Sequence, residues 1–197
     1  MSSEKPTTRT RILEAAWRLL ESGQAEGVRM ADIAREAGIS RQAVYLHFPT
    51  RAELLVATTR YLDEVKNVGE RLAASRSAAT GVERLSAFIE AWGNYIPEIY
   101  GMAKALLAMK NTDEEAAAAW SDRMQAVRHG CEAAVDALAR DGTLSPDRSA
   151  EEATDLLWTL LSVRNWEQLV HDCGWSQGHY IETMQELARR SLVHDPG

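Results

Sequence analysis

Two adjacent side chains, Arg41 and Gln42, carry the hydrogen-bonding groups that the base edges of DNA require. An arginine can donate two bonds to the acceptors of guanine, and a glutamine amide can pair with adenine through two bonds. The preceding Ser40 can cap a helix that begins at Arg41, because its hydroxyl accepts from the free N–H groups of a first turn. We therefore expect both side chains in the first turn of a recognition helix, where base edges are read. The alternative for Arg41 is a solvated residue beside a helix cap.

The stretch Met30–Phe48 surrounds these residues and predicts two short helices joined by a tight turn. Ala34 is small enough for the second helix to pass close by, and Gly38 can adopt the positive φ that a sharp helix exit needs. Ile39 fills the corner between the helices, and Val44 faces inward. This pattern is typical of a helix-turn-helix, whose second helix lies in the major groove of DNA.

The rest of the chain also favours helices, so the predicted fold class is all-α. Proline is rare, and no stretch shows the two-residue alternation of a strand. Helix caps, prolines and glycines divide the chain into nine predicted helices, with the helix-turn-helix domain in residues 1–50 and a second helical domain in residues 51–197. We expect a long fourth helix over residues 52–74 that acts as a lever, and a sixth helix that opens at Pro97. The fifth, seventh and eighth helices are expected over about residues 82–96, 113–140 and 150–172, and the ninth begins after Ser176.

Charge and composition fit a cytoplasmic protein without a metal or cofactor. The net charge is −7, but residues 1–55 hold eight Lys or Arg against seven Asp or Glu, so a local basic face can still bind phosphates. Cys131 and Cys173 form no CxxC motif and fit a reducing compartment. The start of the chain is polar, and no apolar run approaches the roughly 20 residues that span a membrane.

An enzyme is not expected from this sequence. The five histidines fall into no metal-binding or nucleophile-base pattern, and there is no glycine-rich phosphate loop. The alternative function is a helical adaptor that has lost DNA binding and acts through protein contacts. Binding of the protein to a DNA duplex, and the salt dependence of that binding, would separate the two.

From Arg11 to Val56 the sequence resembles the TetR family of bacterial transcriptional regulators. The resemblance rests on the run GISRQAVYLHFPTRAELL and its neighbours, and the predicted helix count agrees with it. It implies a homodimer that binds a palindromic operator in double-stranded DNA and usually represses nearby genes. It also implies that residues 51–197 bind a small effector and form the dimer contact, and that the effector releases the DNA.

The resemblance further implies roles for residues around the recognition helix. Tyr45 and His47 would contact phosphate, sugar or a thymine methyl group, and Arg51 and the Thr7–Arg11 arm would contact phosphate. For Tyr45 the alternative is packing against the first helix. The predicted DNA-binding set is Thr8, Arg29, Ser40, Arg41, Gln42, Tyr45, His47 and Arg51.

Two of these positions depart from the family pattern. Members often carry a threonine cap where Arg29 and Met30 stand here, and Arg29 could supply the phosphate contact instead. Members also often carry a lysine where Arg51 stands, which keeps the charge but changes the donor geometry.

Aromatic residues and methionines gather in the predicted helices five to eight, and such a set can line an apolar pocket. Ordinary core packing is the alternative for any one of them. With the resemblance, we predict a cavity for a largely apolar effector of unknown identity. The predicted ligand-binding residues are Trp92, Tyr95, Tyr100, Met102, Met109, Trp120, Met124, Arg128, Trp158 and Arg164.

The last two predicted helices are apolar over wide arcs that one small protein cannot easily bury. Two helices from each subunit would make a four-helix contact, whose two-fold symmetry matches a palindromic operator. The alternative is that the last helix packs only within its own chain. The predicted interface residues are Leu157, Leu161, Trp166, Tyr180, Ile181, Met184 and Leu187.

Overall fold

The computed structural model describes residues 6–22 and 28–194, which contain helices and no strand. The all-α class is therefore confirmed, and no described helix is long and apolar enough to cross a membrane. Between α10 and α11 lies a π-helical segment, Glu167–Asp172. The α-helices are α1 (Thr8–Glu21), α2 (Met30–Ala37), α3 (Arg41–His47), α4 (Arg51–Val65), α5 (Val68–Arg71), α6 (Ala73–Ser77), α7 (Gly81–Met109), α8 (Glu114–Arg140), α9 (Ala150–Leu160), α10 (Val163–Trp166) and α11 (Gln177–Leu192).

Most helices begin at a hydroxyl cap that the sequence predicts. Ser40 accepts from the backbone N–H of Ala43 at the start of α3, and Thr50 caps α4 in the same way. Ser149 and Glu152 form a complete capping box at the start of α9. At the other end of α2, Gly38 takes a φ of 65°, as the predicted sharp exit requires. These local signals fix the helix-turn-helix before any long-range contact is considered.

The chain divides into two compact units. One combines Met1–Lys66 with Ile99–Arg123, and the other combines Asn67–Glu98 with Met124–Gly197. The first unit therefore holds α1 to α4 together with the end of α7 and the start of α8. The predicted domain boundary at residue 50 stays a prediction.

The predicted lever over residues 52–74 is wrong, because α4 ends at Val65. Asn67 takes a left-handed conformation, with a φ of 53°, and two short helices follow it. Asparagine is one of the few residues that enter this region at little cost. The apolar residues of the sequence keep a helical spacing across this point, which explains why periodicity alone predicts one long helix.

The prediction that Pro97 opens a new helix is wrong, because Pro97 lies inside α7. Proline has no N–H to donate to the carbonyl four residues earlier, which belongs to Gly93. The Gln177 amide of α11 donates to that carbonyl at 2.8 Å, and its oxygen accepts from the indole N–H of Trp166 at 2.9 Å. A side chain from a distant helix thus replaces the backbone bond that proline removes.

Replacing Gln177 with leucine is expected to lower the free energy of unfolding by about 2 kcal/mol, because the Gly93 carbonyl and the buried Trp166 N–H lose their partner. Calorimetry should show a melting temperature about 4–8 °C lower. Gln185→Leu is the matched control, since Gln185 also bonds to α7 from α11, at Ser86, but in an exposed position. An equal loss in both variants would contradict this assignment.

The predicted helix over residues 150–172 is also interrupted, after Leu160. The indole N–H of Trp92 donates to the Leu161 carbonyl at 2.7 Å, and Asn165 donates to the Thr159 carbonyl at 2.7 Å. Ser162 then caps α10. The break costs little because side chains take over the backbone bonds it leaves open.

Candidate nucleic-acid interface

The recognition helix α3 is anchored by one apolar side and presents a polar side to solvent. Val44 is fully buried, and Phe48, just after the helix, is 3% exposed. Arg41 and Gln42 in the first turn are exposed, as is His47 at the end. Arg41, Gln42 and His47, which are predicted to bind DNA, therefore lie on the solvent side of this helix, where they can enter a DNA groove.

Arg41 and Tyr45 contact one another one turn apart on this surface. The guanidinium donates to the tyrosine hydroxyl at 3.1 Å, and its carbon lies 5.4 Å from the ring centre. Tyr45 is 39% exposed, so part of its ring is accessible, and its contact with DNA stays a prediction. The ring restricts the guanidinium to a few orientations, which lowers the entropy that Arg41 would lose on binding a base.

Leu46 of α3 is not in the predicted DNA-binding set. The residue is 80% exposed, which is the largest value among the exposed large apolar residues that the structure describes. An apolar side chain in the major groove can pack on the methyl group of thymine. The signal was present in its position on the outer side of α3, next to Tyr45 and His47.

The remaining predicted residues at this end of the chain differ in accessibility. Arg29 is exposed at the start of α2 and makes no side-chain cap, as expected from the missing threonine. Ser40 uses its hydroxyl to cap α3. Thr8 lies half-buried in the first turn of α1, whose cap is Thr7. Their DNA contacts stay predictions, with Arg29 the most accessible of the three.

Two arginines of the N-terminal arm behave differently. Arg11 donates to the Ala37 carbonyl at 2.6 Å and so secures the end of α2. Arg9 is exposed, with its guanidinium 5.1 Å from the centre of the Phe48 ring. Of these two, only Arg9 is placed to meet a phosphate.

Arg51 does not have the exposure that a phosphate contact requires. Its side chain is 13% exposed and forms ion pairs with Asp113 at 2.8 Å and with Glu115 at 3.2 Å. It also donates to the Val28 carbonyl at 2.6 Å. The role that the resemblance implies for this residue is therefore not supported by its surroundings.

The ten predicted ligand-binding residues are divided between the two units. Met102, Met109 and Trp120 belong to the core beneath the helix-turn-helix, and Tyr100 lies in the same unit. The other six lie in the second unit: Trp92, Tyr95, Met124, Arg128, Trp158 and Arg164. Their role in binding an effector stays a prediction.

Within the second unit only part of the predicted set is interior. Trp92 and Tyr95 are buried and meet edge to face, with ring centres 6.0 Å apart. Arg128 is occupied by ion pairs with Glu132 and Asp155, both at 2.7 Å. Arg164 is exposed. The buried members of the set are thus aromatic, and Arg128 is already paired with carboxylates.

The predicted dimer residues lie mostly inside their own chain. Six of the seven are 8% exposed or less, and Leu187, at 39%, is the exception. Three of these six, Tyr180, Ile181 and Met184, belong to the last helix, and their burial agrees with the alternative that this helix packs within its own chain. Apolar periodicity identifies the buried side of α9 and α11, whereas an interface must use what remains exposed.

The described residues contain no group of three or more His, Cys, Asp or Glu side chains that could hold a metal ion. Burial raises the pKa of the Cys131 thiol to about 12, so this residue is an unreactive member of the core. Cys173 is exposed.

Comparison with known proteins agrees with the helix-turn-helix geometry. A family model described as bacterial regulatory proteins, tetR family, matches residues 12–58, which run from α1 into α4. The nucleoid occlusion factor SlmA of Marinomonas sp. is 34% identical over 64 residues, which is 32% of each protein. The HTH-type transcriptional regulator BetI of Rhizobium meliloti is 35% identical over 86 residues, 43% of this chain and 41% of BetI. The matches thus span less than half the length of either relative.

The whole fold has counterparts among solved structures. A proposed transcriptional regulator from Saccharomonospora viridis, solved in complex with choline, matches with a TM-score of 0.71 over 95% of this chain and 98% of its own. The two sequences are 22% identical, so the likeness shows the fold alone. Together, the matched segment and the relatives identify residues 12–58 as the helix-turn-helix region of tetR-family bacterial regulatory proteins, with its two motif helices in α2 and α3.

Proposed function

We propose that this chain is a repressor that binds a palindromic operator as a homodimer and releases it on binding a small, largely apolar effector. The observation that carries the proposal is the outer side of α3. Arg41, Gln42, Tyr45 and Leu46 are exposed there on a helix anchored by the buried Val44. Major-groove recognition requires polar and apolar side chains that are exposed on one side of a firmly packed helix.

Selection of binding sites from a random DNA duplex library tests this function. We expect a palindrome whose half-sites lie about 10 base pairs apart, or a multiple of that spacing, because a two-fold dimer places its helices one helical turn apart. Enrichment of no sequence, together with capture of a protein partner, would favour the adaptor instead.

The dimer contact in this proposal uses the parts of α9 and α11 that the chain leaves exposed. Leu156 and Leu160 are half-buried and four residues apart in α9, and Leu187 of α11 is exposed. These side chains could be covered by the same helices of a second subunit. Light scattering should give twice the mass of one chain at micromolar concentration.

The effector would bind in the second unit, where one buried polar group is unsatisfied. Tyr180 of α11 is fully buried, and its hydroxyl has no hydrogen-bond partner among the described residues. Buried hydroxyls nearly always have a hydrogen-bond partner, so an unpaired one is a candidate for bonding to a bound molecule. Burial also raises the pKa of Tyr180, so the phenol is neutral and can donate to an effector oxygen.

Replacing Tyr180 with phenylalanine is expected to stabilise the free protein by about 1 kcal/mol, because it removes a buried hydroxyl without a partner. The melting temperature should rise by about 2–4 °C. A thermal-shift screen of neutral apolar ketones and phenols should give a smaller ligand-induced shift in this variant than in the wild type. A lower melting temperature, or an unchanged ligand shift, would remove Tyr180 from the effector site.

A further inference from the structure

Arg51 joins three segments of the unit that contains the helix-turn-helix. It is the first residue of α4, and its Nε–H donates to the carbonyl of Val28, two residues before α2. Its Nη1 group pairs with Asp113 and Glu115 at the start of α8. One side chain thus ties together the beginnings of α2, α4 and α8.

The two carboxylates are themselves held in place. Asp113 accepts from the backbone N–H groups of Glu115 and Ala116, both at 3.1 Å, and so caps α8. The other oxygen of Glu115 accepts from the N–H of Ala52 at 3.2 Å. The acceptors are therefore preset for the guanidinium.

This arrangement leaves Arg51 a poor ligand for a DNA phosphate. The side chain is 13% exposed, and a phosphate would have to displace two anchored carboxylates and a carbonyl. Separating a largely buried ion pair is costly, because the charges left behind lose their compensation. Arg29 and Arg41 are exposed and face no such competition from two anchored carboxylates.

We propose that Arg51 is a positioning residue that holds the helix-turn-helix against the start of α8 through Asp113 and Glu115, and that it does not contact DNA. The proposal deepens the function given above and rests on it. Arg51, Asp113 and Glu115 together form a clasp between the start of α4 and the start of α8.

DNA binding across a salt series separates positioning from phosphate contact. In the full chain, Arg51→Met and the double variant Asp113→Asn/Glu115→Gln should each weaken binding to the selected duplex about tenfold, with the salt slope of the wild type retained. Asparagine still caps a helix, so the double variant keeps α8 intact. Combining all three changes should cost no more than either alone, because they break one clasp.

Arg60→Met is the matched control. Arg60 also lies on α4 and pairs with a carboxylate of α8, Asp122, at 2.6 Å, but its side chain is 60% exposed. We expect this variant to change affinity less than about twofold. A phosphate contact predicts the opposite pattern: Arg51→Met would reduce the salt slope by about 0.9, and removal of the two acids would strengthen binding. Either result would overturn the proposal.

Hydrogen exchange tests the clasp without DNA. Backbone amides of α2 and α3 should exchange about tenfold faster in Arg51→Met and in the double variant than in the wild type, while those of α11 stay unchanged. Unchanged exchange in α2 and α3 would contradict the proposal. If the wild type selects no duplex, the proposed function fails, and this measurement still decides whether Arg51 holds the helix-turn-helix.

Discussion

Replacing Gly81 with alanine is expected to destabilise the protein by about 3 kcal/mol and to lower its melting temperature by about 6–12 °C. A Cβ atom at this position would lie 2.5 Å from the backbone nitrogen of Leu138 and 2.7 Å from the carbonyl carbon of Ala137. Backbone atoms inside a helix cannot move aside as a side-chain tip can. The N–H of Gly81 also donates to the carboxylate of Asp141, so α7 cannot shift without losing that bond.

Gly178→Ala is the matched control for this prediction. Gly178 lies in the first turn of α11, and nothing lies within 4 Å of the Cβ that alanine would add. Alanine is the better helix former, so this variant should be unchanged or more stable by up to about 1 kcal/mol. Thermal unfolding of both variants measures the contrast. Equal stability of the two variants would contradict the close approach of the helices at Gly81.

Replacing Arg41 with alanine is expected to weaken binding to the selected duplex about 10- to 100-fold, which corresponds to about 1–3 kcal/mol. The loss should be concentrated at one base pair of each half-site, because the guanidinium reads one base edge. The exposed position of Arg41 and its contact with Tyr45 support this role. Binding to duplexes mutated at single positions measures it.

Two further variants separate base reading from general charge. Arg41→Lys keeps the charge but loses the paired donors, so it should retain the salt slope and lose the base preference. Arg35→Ala removes a cation from α2 whose side chain is 79% exposed, and it should change affinity only slightly. If Arg35→Ala is as damaging as Arg41→Ala, the guanidinium of Arg41 acts only as one charge among several.

The helix-turn-helix could be predicted from sequence because its signals are local. Ser40 caps α3 and Gly38 ends α2 through bonds and backbone angles that involve their immediate neighbours. Val44 faces inward because it is the apolar residue on the side of α3 opposite the polar residues. Each of these features depends on residue type and spacing, which the sequence contains.

Two of the errors arise where a distant side chain overrides a local signal. Pro97 reads as a helix start, but Gln177 supplies the bond that keeps α7 continuous. Arg51 reads as an exposed cation after a helix cap, but Asp113 and Glu115 lie more than 60 residues away and surround it. Neither partner is visible in the pattern around the residue itself.

The predicted ligand and dimer residues illustrate a second limit. Apolar periodicity shows that a residue is buried, but not which core it enters. Met102 and Met109 pack under the helix-turn-helix, and Tyr180 and Ile181 pack within the second unit. A binding surface can be identified only among the residues that remain exposed after the chain has folded.

In the proposed function, the outer side of α3 reads DNA sequence. Fluorescence anisotropy with the selected duplex and a scrambled duplex, at the same salt concentration, tests it most directly. The wild type should prefer the selected duplex by at least about 10³-fold, and Arg41→Ala/Gln42→Ala should bind both duplexes with nearly equal affinity. A wild type without preference, or a double variant that keeps its preference, would contradict the claim.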